Sequence, residues 1–352
     1  MRFIHIADVH LGAVPDASFP WGQDRKKDIY KTFEEVVQIC NVEFVDLLLI
    51  AGDLFHKPPV DKELKQLDRI LSRLEMTRTI IMAGNHDYLS YLSPYEQFKF
   101  QSNTTLIRDS MMTCVSDIGL KTNIYGLSYF SQEKPEGVYD FVQIQEPDEI
   151  NILLAHGGDE KHVPIDMNML KSCGFDYVAL GHIHRPHMVE ENKIAYAGAL
   201  EPVKRSDIGP HGYILGTIDE KKQVKLEFHP VAKASYEEIH VVVTDETTQL
   251  DIIKEIEDTI KKKGTKCIYT IYIEGEQYEA VPYQLEEIEA QYRVLEIKDQ
   301  RKLAHDMNQL YEENKDNLLG KFIAKLGEDS SNELNQKALE YGMKALLDSM
   351  KY

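Results

Sequence analysis

The chain has no long apolar run. None of its hydrophobic stretches approaches the ~18 residues of a membrane-spanning helix, so no such helix is expected. The first apolar stretch is short and is interrupted by His5 and Asp8, which does not fit a signal peptide. Cysteine is scarce: Cys40, Cys114, Cys173 and Cys267 stand far apart with no paired spacing. That excludes a disulfide framework and a zinc-thiolate cluster, and fits reduced core thiols in a cytoplasmic protein. Positive charge is also short, with 40 Lys and Arg against 59 Asp and Glu and a net charge of −19. The basic footprint of most nucleic-acid-binding domains is therefore missing, which weighs against a polyanionic substrate. No internal repeat or low-complexity tract is present.

What the chain does have is length and an uneven distribution of histidine. With 352 residues and 43% hydrophobic composition it can bury a good core and form two domains or slightly more. Eleven of its thirteen histidines precede residue 231. The stretch Leu47–His56, LLLIAGDLFH, organises this part: an apolar run suited to a strand buried on both faces, then a turn at Gly52 and the carboxylate Asp53. The pattern recurs. Arg2–Ala7 ends in Asp8-Val9-His10, and Thr79–Ala83 ends in Gly84-Asn85-His86-Asp87. Asn151–Ala155 ends in His156, and Tyr177–Leu180 in Gly181-His182-Ile183-His184. In extended chain residues i and i+2 point the same way, so Asp8 and His10 can face one ion. The carboxyl ends of parallel strands are where open α/β sheets bind ligands. Carboxylates, an amide and imidazoles thus gather at one sheet edge.

In order, a helix is expected over about Asp24–Cys40, with Ile29, Phe33, Val36, Val37 and Cys40 on its apolar face. Another is expected from an Asp61 N-cap to about Glu75, burying Leu64, Leu67, Ile70, Leu71 and Leu74. Strand–helix alternation over the first 83 residues implies right-handed crossovers and a parallel sheet. Residues 103–148 read as short strands and hairpins without chemistry. A boundary falls near 230–235. Residues 236–298 read as a small α+β domain, and 301–352 as helical, with one helix over about Arg301–Leu326 and another over about Asn332–Met350. The last helix reads equally as packed on its own domain or as docking a partner.

Asp8, His10, Asp53, Asn85, His156, His182 and His184 are too many ligands for one ion and suit two. Asp53, from a central strand, is the natural bridge. Two ions ~3.5–4 Å apart can activate a water and stabilise the leaving oxygen of a displacement at phosphorus. The imidazole–carboxylate mixture suits manganese, iron, zinc or nickel, with manganese preferred and magnesium ranked lower. His86 adjoins a ligand without being needed as one, as a general acid does.

The ordered series Asp8-x-His10, Gly52-Asp53, Gly84-Asn85-His86-Asp87, His156 and Gly181-His182-x-His184 resembles the calcineurin-like metallophosphoesterase superfamily over residues 1 to about 230. The resemblance implies a four-layer α/β/β/α sandwich holding two divalent metals. One would sit on Asp8, His10, Asp53 and His184, the other on Asp53, Asn85, His156 and His182. It implies that His86 contacts the scissile phosphate and assists the leaving group, oriented by Asp87. Phe3–Gly12, the run Gly52–His56, and Tyr196-Ala197-Gly198 with Glu201 are similar to the DNA-repair exonuclease branch, the SbcD-type nuclease subunits that work with a coiled-coil SMC-like ATPase. That narrower likeness implies a DNA substrate in a nucleoid-associated repair or recombination complex. It also implies a second active-site histidine at His56, a capping domain in residues 236–298, an ATPase-binding helical segment in 301–352, and a homodimer with apolar residues of the first two helices as candidates. The chain departs from the branch at Ala199-Leu200 and Pro202-Val203-Lys204-Arg205, where a more polar stretch is usual. Arg25, Lys26, Lys27, Lys57, Arg185, Lys204 and Arg205 are the basic groups offered to a phosphate backbone. Two other readings remain open: a phosphodiesterase of small nucleotides, favoured by the acidity, and a mainly structural subunit of the ATPase complex.

Overall fold

The computed structural model describes residues 1–139, 142–277, 282–303, 307–327, 338, 341–343 and 345–347. They divide into two compact units, Met1–Glu237 with Thr265–Ile268, and Glu238–Gly264 with the chain from Tyr269 on.

The first unit runs β1 (Arg2–Ile6), α1 (Gly22–Val42), β2 (Leu47–Ala51), α2 (Asp61–Leu71), β3 (Arg78–Met82), α3 (Pro94–Gln97) and β4 (Thr104–Leu106). It continues with β5 (Thr113–Asp117), β6 (Thr122–Gly126), β7 (Ile150–His156), α4 (Met167–Ser172), β8 (Tyr177–Gly181), β9 (His187–Glu190), β10 (Ile194–Tyr196), β11 (Gly212–Ile218) and β12 (Val224–Pro230). Two six-stranded sheets result, in the orders β12-β11-β1-β2-β3-β4 and β5-β6-β7-β8-β10-β9. The pairs β1–β2, β2–β3 and β3–β4 are parallel, as the alternating strands and helices require. The antiparallel hairpin β11–β12 extends that sheet beside β1.

Period-two alternation explains why β2 is buried throughout. Leu48 and Ile50 join Ile4 and Ile6 under α1 and α2, where Phe33, Val36, Leu64 and Leu67 cover them. Leu47 and Leu49 point the other way, into a core shared with Ile152, Leu154, Tyr177 and Ala179 of the second sheet. Leu153, Ala155, Val178 and Leu180 form that sheet's other face, covered by Leu170 and Phe175. Most apolar residues of α1 and α2, offered for a homodimer contact, are therefore inside the fold, with Val42 at the end of α1 exposed. Of the four cysteines, all free, only Cys40 is buried; the other three are half-buried, contrary to the expectation that all lie in the core.

A buried imidazole lies in the core shared by the sheets. His5 is fully buried, with Nδ1 2.7 Å from the Tyr177 hydroxyl. Burial pushes its imidazole down to about 3, from 6.5. The unfolded chain takes up a proton that the fold refuses. Stability from this residue is thus intact above pH 6.5 and is lost as pH falls from 6.5 towards about 3. In denaturant titrations followed by Trp21 fluorescence, His5→Leu is expected to flatten the acid limb of stability against pH by about 1.4 kcal/mol per pH unit. Identical acid limbs in the two proteins would refute this.

The second unit carries a sheet of β13 (Tyr236–Val243), β14 (Ile268–Gln277) and β15 (Val294–Asp299) in that order, with β16 (Lys302–Leu303) also on β14. Between them lie α5 (Gln249–Lys263) and α6 (Glu286–Gln291). Thr248 caps α5, its hydroxyl accepting from Asp251 N–H. The single helix expected over Arg301–Leu326 is instead β16, α7 (Met307–Asn314) and α8 (Leu318–Gly327). The break is local chemistry: the Asn317 side chain accepts from Leu319 and Gly320 N–H and starts a new helix. Most of the helix expected over Asn332–Met350 lies outside the described residues. No helix among the described residues is long and apolar enough to cross a membrane.

Candidate metal centre

The site forms where the carboxyl ends of β1, β2, β3, β7 and β8 meet. Backbone hydrogen bonds zip two of the connecting loops: Asp8 N–H to Gly52 O at 3.1 Å, His10 N–H to Asp53 O at 3.0 Å, and Leu11 N–H to Leu54 O at 2.8 Å. These hold Asp8, His10 and Asp53 at φ of 50°, 51° and 50°, and His182 stands at 91°. Positive φ is uncommon outside glycine and concentrates at functional sites. Gly52, itself at φ 82°, leaves no room for a Cβ beside the His156 ring. A Cβ at Gly84 would collide with the Asp53 carboxylate. Both glycines are therefore required by close approach.

The structure brings the seven candidate ligands together. His10 Nε2 lies 3.2 Å from His184 Nε2 and 4.0 Å from Asp53 Oδ2. His184 Nε2 is 4.0 Å from Asp8 Oδ1. On the other side of Asp53, His156 Nε2 is 3.4 Å from Oδ2 and 3.0 Å from Asn85 Oδ1, which also faces His182 Nδ1 at 3.1 Å. The remaining oxygen, Asp53 Oδ1, accepts from His86 N–H at 2.8 Å. Asp8, Asp53 and His156 are buried, as are His10 and Asn85.

The donor set fits divalent cations. Asp8 Oδ1 is buried without a hydrogen-bond partner, a costly state for a carboxylate unless a cation meets it. Two imidazole nitrogens facing each other at 3.2 Å turn a lone pair each towards one ion when both rings carry their proton on Nδ1, as the Asp207 contact favours for His184. Burial pushes the Asp8 carboxyl up and the His10 imidazole down. Burial alone would raise Asp53, but the His156, His10 and His86 imidazoles hold it well below the usual carboxylate range. Against burial, Asp53 and Asp8 lift His156 to about 9.

Partners of the ligands come from places the sequence did not flag. Asp207 Oδ2 meets His184 Nδ1 at 2.8 Å, and Asp159 Oδ2 meets His182 Nε2 at 2.7 Å. Such carboxylate–histidine contacts orient an imidazole and raise its basicity. His156 is fixed by Ala51 O at Nδ1, 2.8 Å, and through its backbone by the hydroxyls of Tyr129 and Tyr139. Residues 103–148, read as free of chemistry, therefore help hold a candidate ligand. Neither Asp159 nor Asp207 sits in a motif or a periodic pattern. The only available signal was that a ligating histidine needs a second-nitrogen partner.

Beyond the ligands the imidazoles continue outward. The His86 ring lies edge-on to His10 with centroids 4.8 Å apart, and His56 stacks on His86 at 5.4 Å. His86 Nδ1 is 3.2 Å from His56 O. The orienting contact from Asp87 is not made. Its carboxylate accepts from Gly84 N–H at 2.7 Å and Phe55 N–H at 3.1 Å, and so ties the β3 loop to the β2 loop. Burial, with Asp53 nearby, pushes it up to about 7. Arg25 is likewise not available to a phosphate: it is fully buried against Glu201. Lys57, Arg185, Lys204 and Arg205 are exposed.

A family model, calcineurin-like phosphoesterase, matches residues 1–186. That is more than half of the 352 residues, and the chain belongs to this family. Metal-dependent phosphoester hydrolysis on a two-metal site is the chemistry this membership supports, and the His and Asp clusters described above are its candidate ligands here.

Proposed function

We propose that the protein is a divalent-metal-dependent DNA nuclease, cleaving phosphodiester bonds as the nuclease subunit of a repair complex with an SMC-like ATPase. The observation that carries the reading is the row His10, His56 and His86, which leads from buried ligands to an exposed rim. Asp8, His10, Asp53 and His184 would hold one ion, and Asp53, Asn85, His156 and His182 the other, with manganese the preferred metal. Bound ions would supply Lewis-acid polarisation of the phosphoryl group and acidify the attacking water. His86, half-buried and anchored through Nδ1 to the His56 carbonyl, keeps Nε2 free to hand a proton to a departing alkoxide. His56, exposed and stacked on it, lines the approach. Burial and His86 lower the His56 pKa, Asp53 opposes them, and Lys204 and Lys57 add to the lowering; both lysines are exposed at the rim where a phosphate would arrive. Asp87 has a positioning role, through the loop it ties. The same reading gives the first unit the four-layer sandwich of the family, residues 236–298 a capping role and 301–352 an ATPase-docking role, in a homodimer.

A second reading, hydrolysis of small nucleotides, is favoured by the net charge of −19. Linear duplex DNA labelled separately at its 5′ and 3′ ends, incubated with protein and Mn²⁺, decides between them. Degradation by wild type but not by His86→Ala, which should still bind metal, is the expected result. The reading fails if the duplex stays intact with and without an ATPase partner while a small phosphodiester is cleaved in the same buffer.

A further inference from the structure

Basic residues are scarce and mostly dispersed, yet they collect along the outer faces of α1 and α2. Two adjoining cavities of about 590 and 670 Å³ lie there and share Lys62 and Gln66, so they form one groove. Seven basic side chains line it against three acidic ones, in a chain whose net charge is −19. Lys27 pairs with Asp24 at 3.0 Å, and Arg73 with Glu34 at 3.3 Å. Lys26, Lys31, Lys62, Lys65 and Arg69 are exposed, and none makes an ion pair with a described residue. Of the acids, Glu63 is engaged at home, its carboxylate accepting from Val60 N–H at 3.0 Å.

Spacing makes this more than an excess of charge. Lys62, Lys65 and Arg69 follow the i, i+3, i+7 rule and form one row along α2. At 1.5 Å of rise per residue the row is ~10 Å long, equal to the axial rise of about three nucleotides of a duplex strand at ~3.4 Å each. Lys26 and Lys31 of α1 face it across the groove. One end lies next to the candidate site: α2 begins directly after the segment Lys57–Val60 that leaves His56. The Gly12 Cβ position, just past His10, is 3.4 Å from Glu63 Oε1.

We propose that the groove between α1 and α2 is a sequence-independent track for the phosphate backbone of nucleic acid, leading to the rim of the candidate metal centre. It rests on the nuclease reading and adds to it where the polymer lies beyond the cleaved bond. It also bears on the objection from acidity: most of the acidic residues lie elsewhere, and along this path cations outnumber acids by seven to three. Lysines at helical spacing suit a backbone that carries no sequence information.

The test uses the full chain in EDTA, so that nothing is cleaved, and the anisotropy of a labelled duplex over a series of salt concentrations. Wild type is compared with the triple variant Lys62→Gln/Lys65→Gln/Arg69→Gln. The expected result is a salt slope smaller by about 2–3 and an affinity at low salt weaker by at least about tenfold, since each phosphate contact contributes ~0.9 to the slope. Hydrolysis of a small chromogenic phosphodiester with Mn²⁺ should be unchanged, because no ligand is touched. If wild type binds and cleaves DNA and the variant equals it, the track is wrong and the nuclease reading survives. If wild type binds no DNA at any salt, the track falls, and the nuclease reading is decided separately by cleavage of the labelled duplex with Mn²⁺ and an ATPase partner. If the variant keeps DNA but loses poly-glutamate, the groove's occupant is an acidic protein segment and the proposal is overturned.

Discussion

Asp53→Asn is expected to leave a folded protein whose phosphoester hydrolysis is at least about 10³-fold lower, because the contribution of the ions to charge stabilisation amounts to several kcal/mol. The substitution is nearly isosteric. Asn Oδ1 can still accept from His86 N–H, so the loop that carries His86 keeps its anchor. What disappears is the anionic oxygen facing both His10 and His156, at 4.0 and 3.4 Å. Calorimetric titration with Mn²⁺ should then show fewer than two sites. Asp207→Asn supplies the graded comparison. It leaves every candidate ligand in place but removes the charge beside His184 Nδ1, and an expected 10–100-fold loss of metal affinity follows from that contact alone. Burial opposes ionisation of Asp207, but the His184 contact wins and brings its carboxyl to about 2, so the charge is present throughout the working range. Full activity and two Mn²⁺ sites in Asp53→Asn would remove the bridging role and the two-ion reading with it.

The largest expected effect on stability lies outside the site. Arg25→Met leaves Glu201 fully buried without its cationic partner. Arg25 Nη1 donates to Glu201 Oε2 at 3.1 Å and Nη2 to Pro202 O at 2.8 Å. Glu201 Oε1 accepts from Thr32 Oγ1 at 2.5 Å and from Lys233 N–H at 2.6 Å. This network ties α1 to the chain after β10 and to the segment following β12. Removing one partner of a buried pair costs about 3–5 kcal/mol. At ~2–4 °C per kcal/mol for a unit of this size, the melting temperature should fall by roughly 6–20 °C. Trp21 stands beside α1 and is the only tryptophan, so its fluorescence reports this unit. The double variant Arg25→Met/Glu201→Leu should recover part of the loss, because no charge is then left unpaired. A single-variant loss below about 1 kcal/mol would show that Thr32 and Lys233 satisfy Glu201 without Arg25.

The strand-end series could be read from the sequence because its physics is local. A run of β-formers followed by glycine and a polar group marks a strand and its turn whatever surrounds it. The uninterrupted apolar run of β2 likewise announces a strand buried on both faces, although which residues meet which core was decided by packing. That is enough to define a mixed α/β fold and to place Asp8, His10, Asp53, Asn85, His156, His182 and His184 at strand ends, but not at one sheet edge as expected: the first four end strands of one sheet and the three histidines those of the other. What it could not announce depends on segments far apart in the chain. Asp159 and Asp207 are ordinary loop carboxylates until folding sets them against His182 and His184. Arg25 looks like one more cation on a helix, and only the arrival of Glu201, 176 positions later, makes its burial affordable. The charge of the whole chain hid the groove, since composition averages over a surface whereas folding sorts it by face. The Asp87 carboxylate was assigned to its sequence neighbour, but the turn at Gly84 aims it at two backbone amides. Strand, turn and ligand type were thus determined by the sequence itself. Which side chain finishes the coordination of another, and which charge is left to meet solvent, was decided only by tertiary structure, because both are properties of pairs brought together by packing.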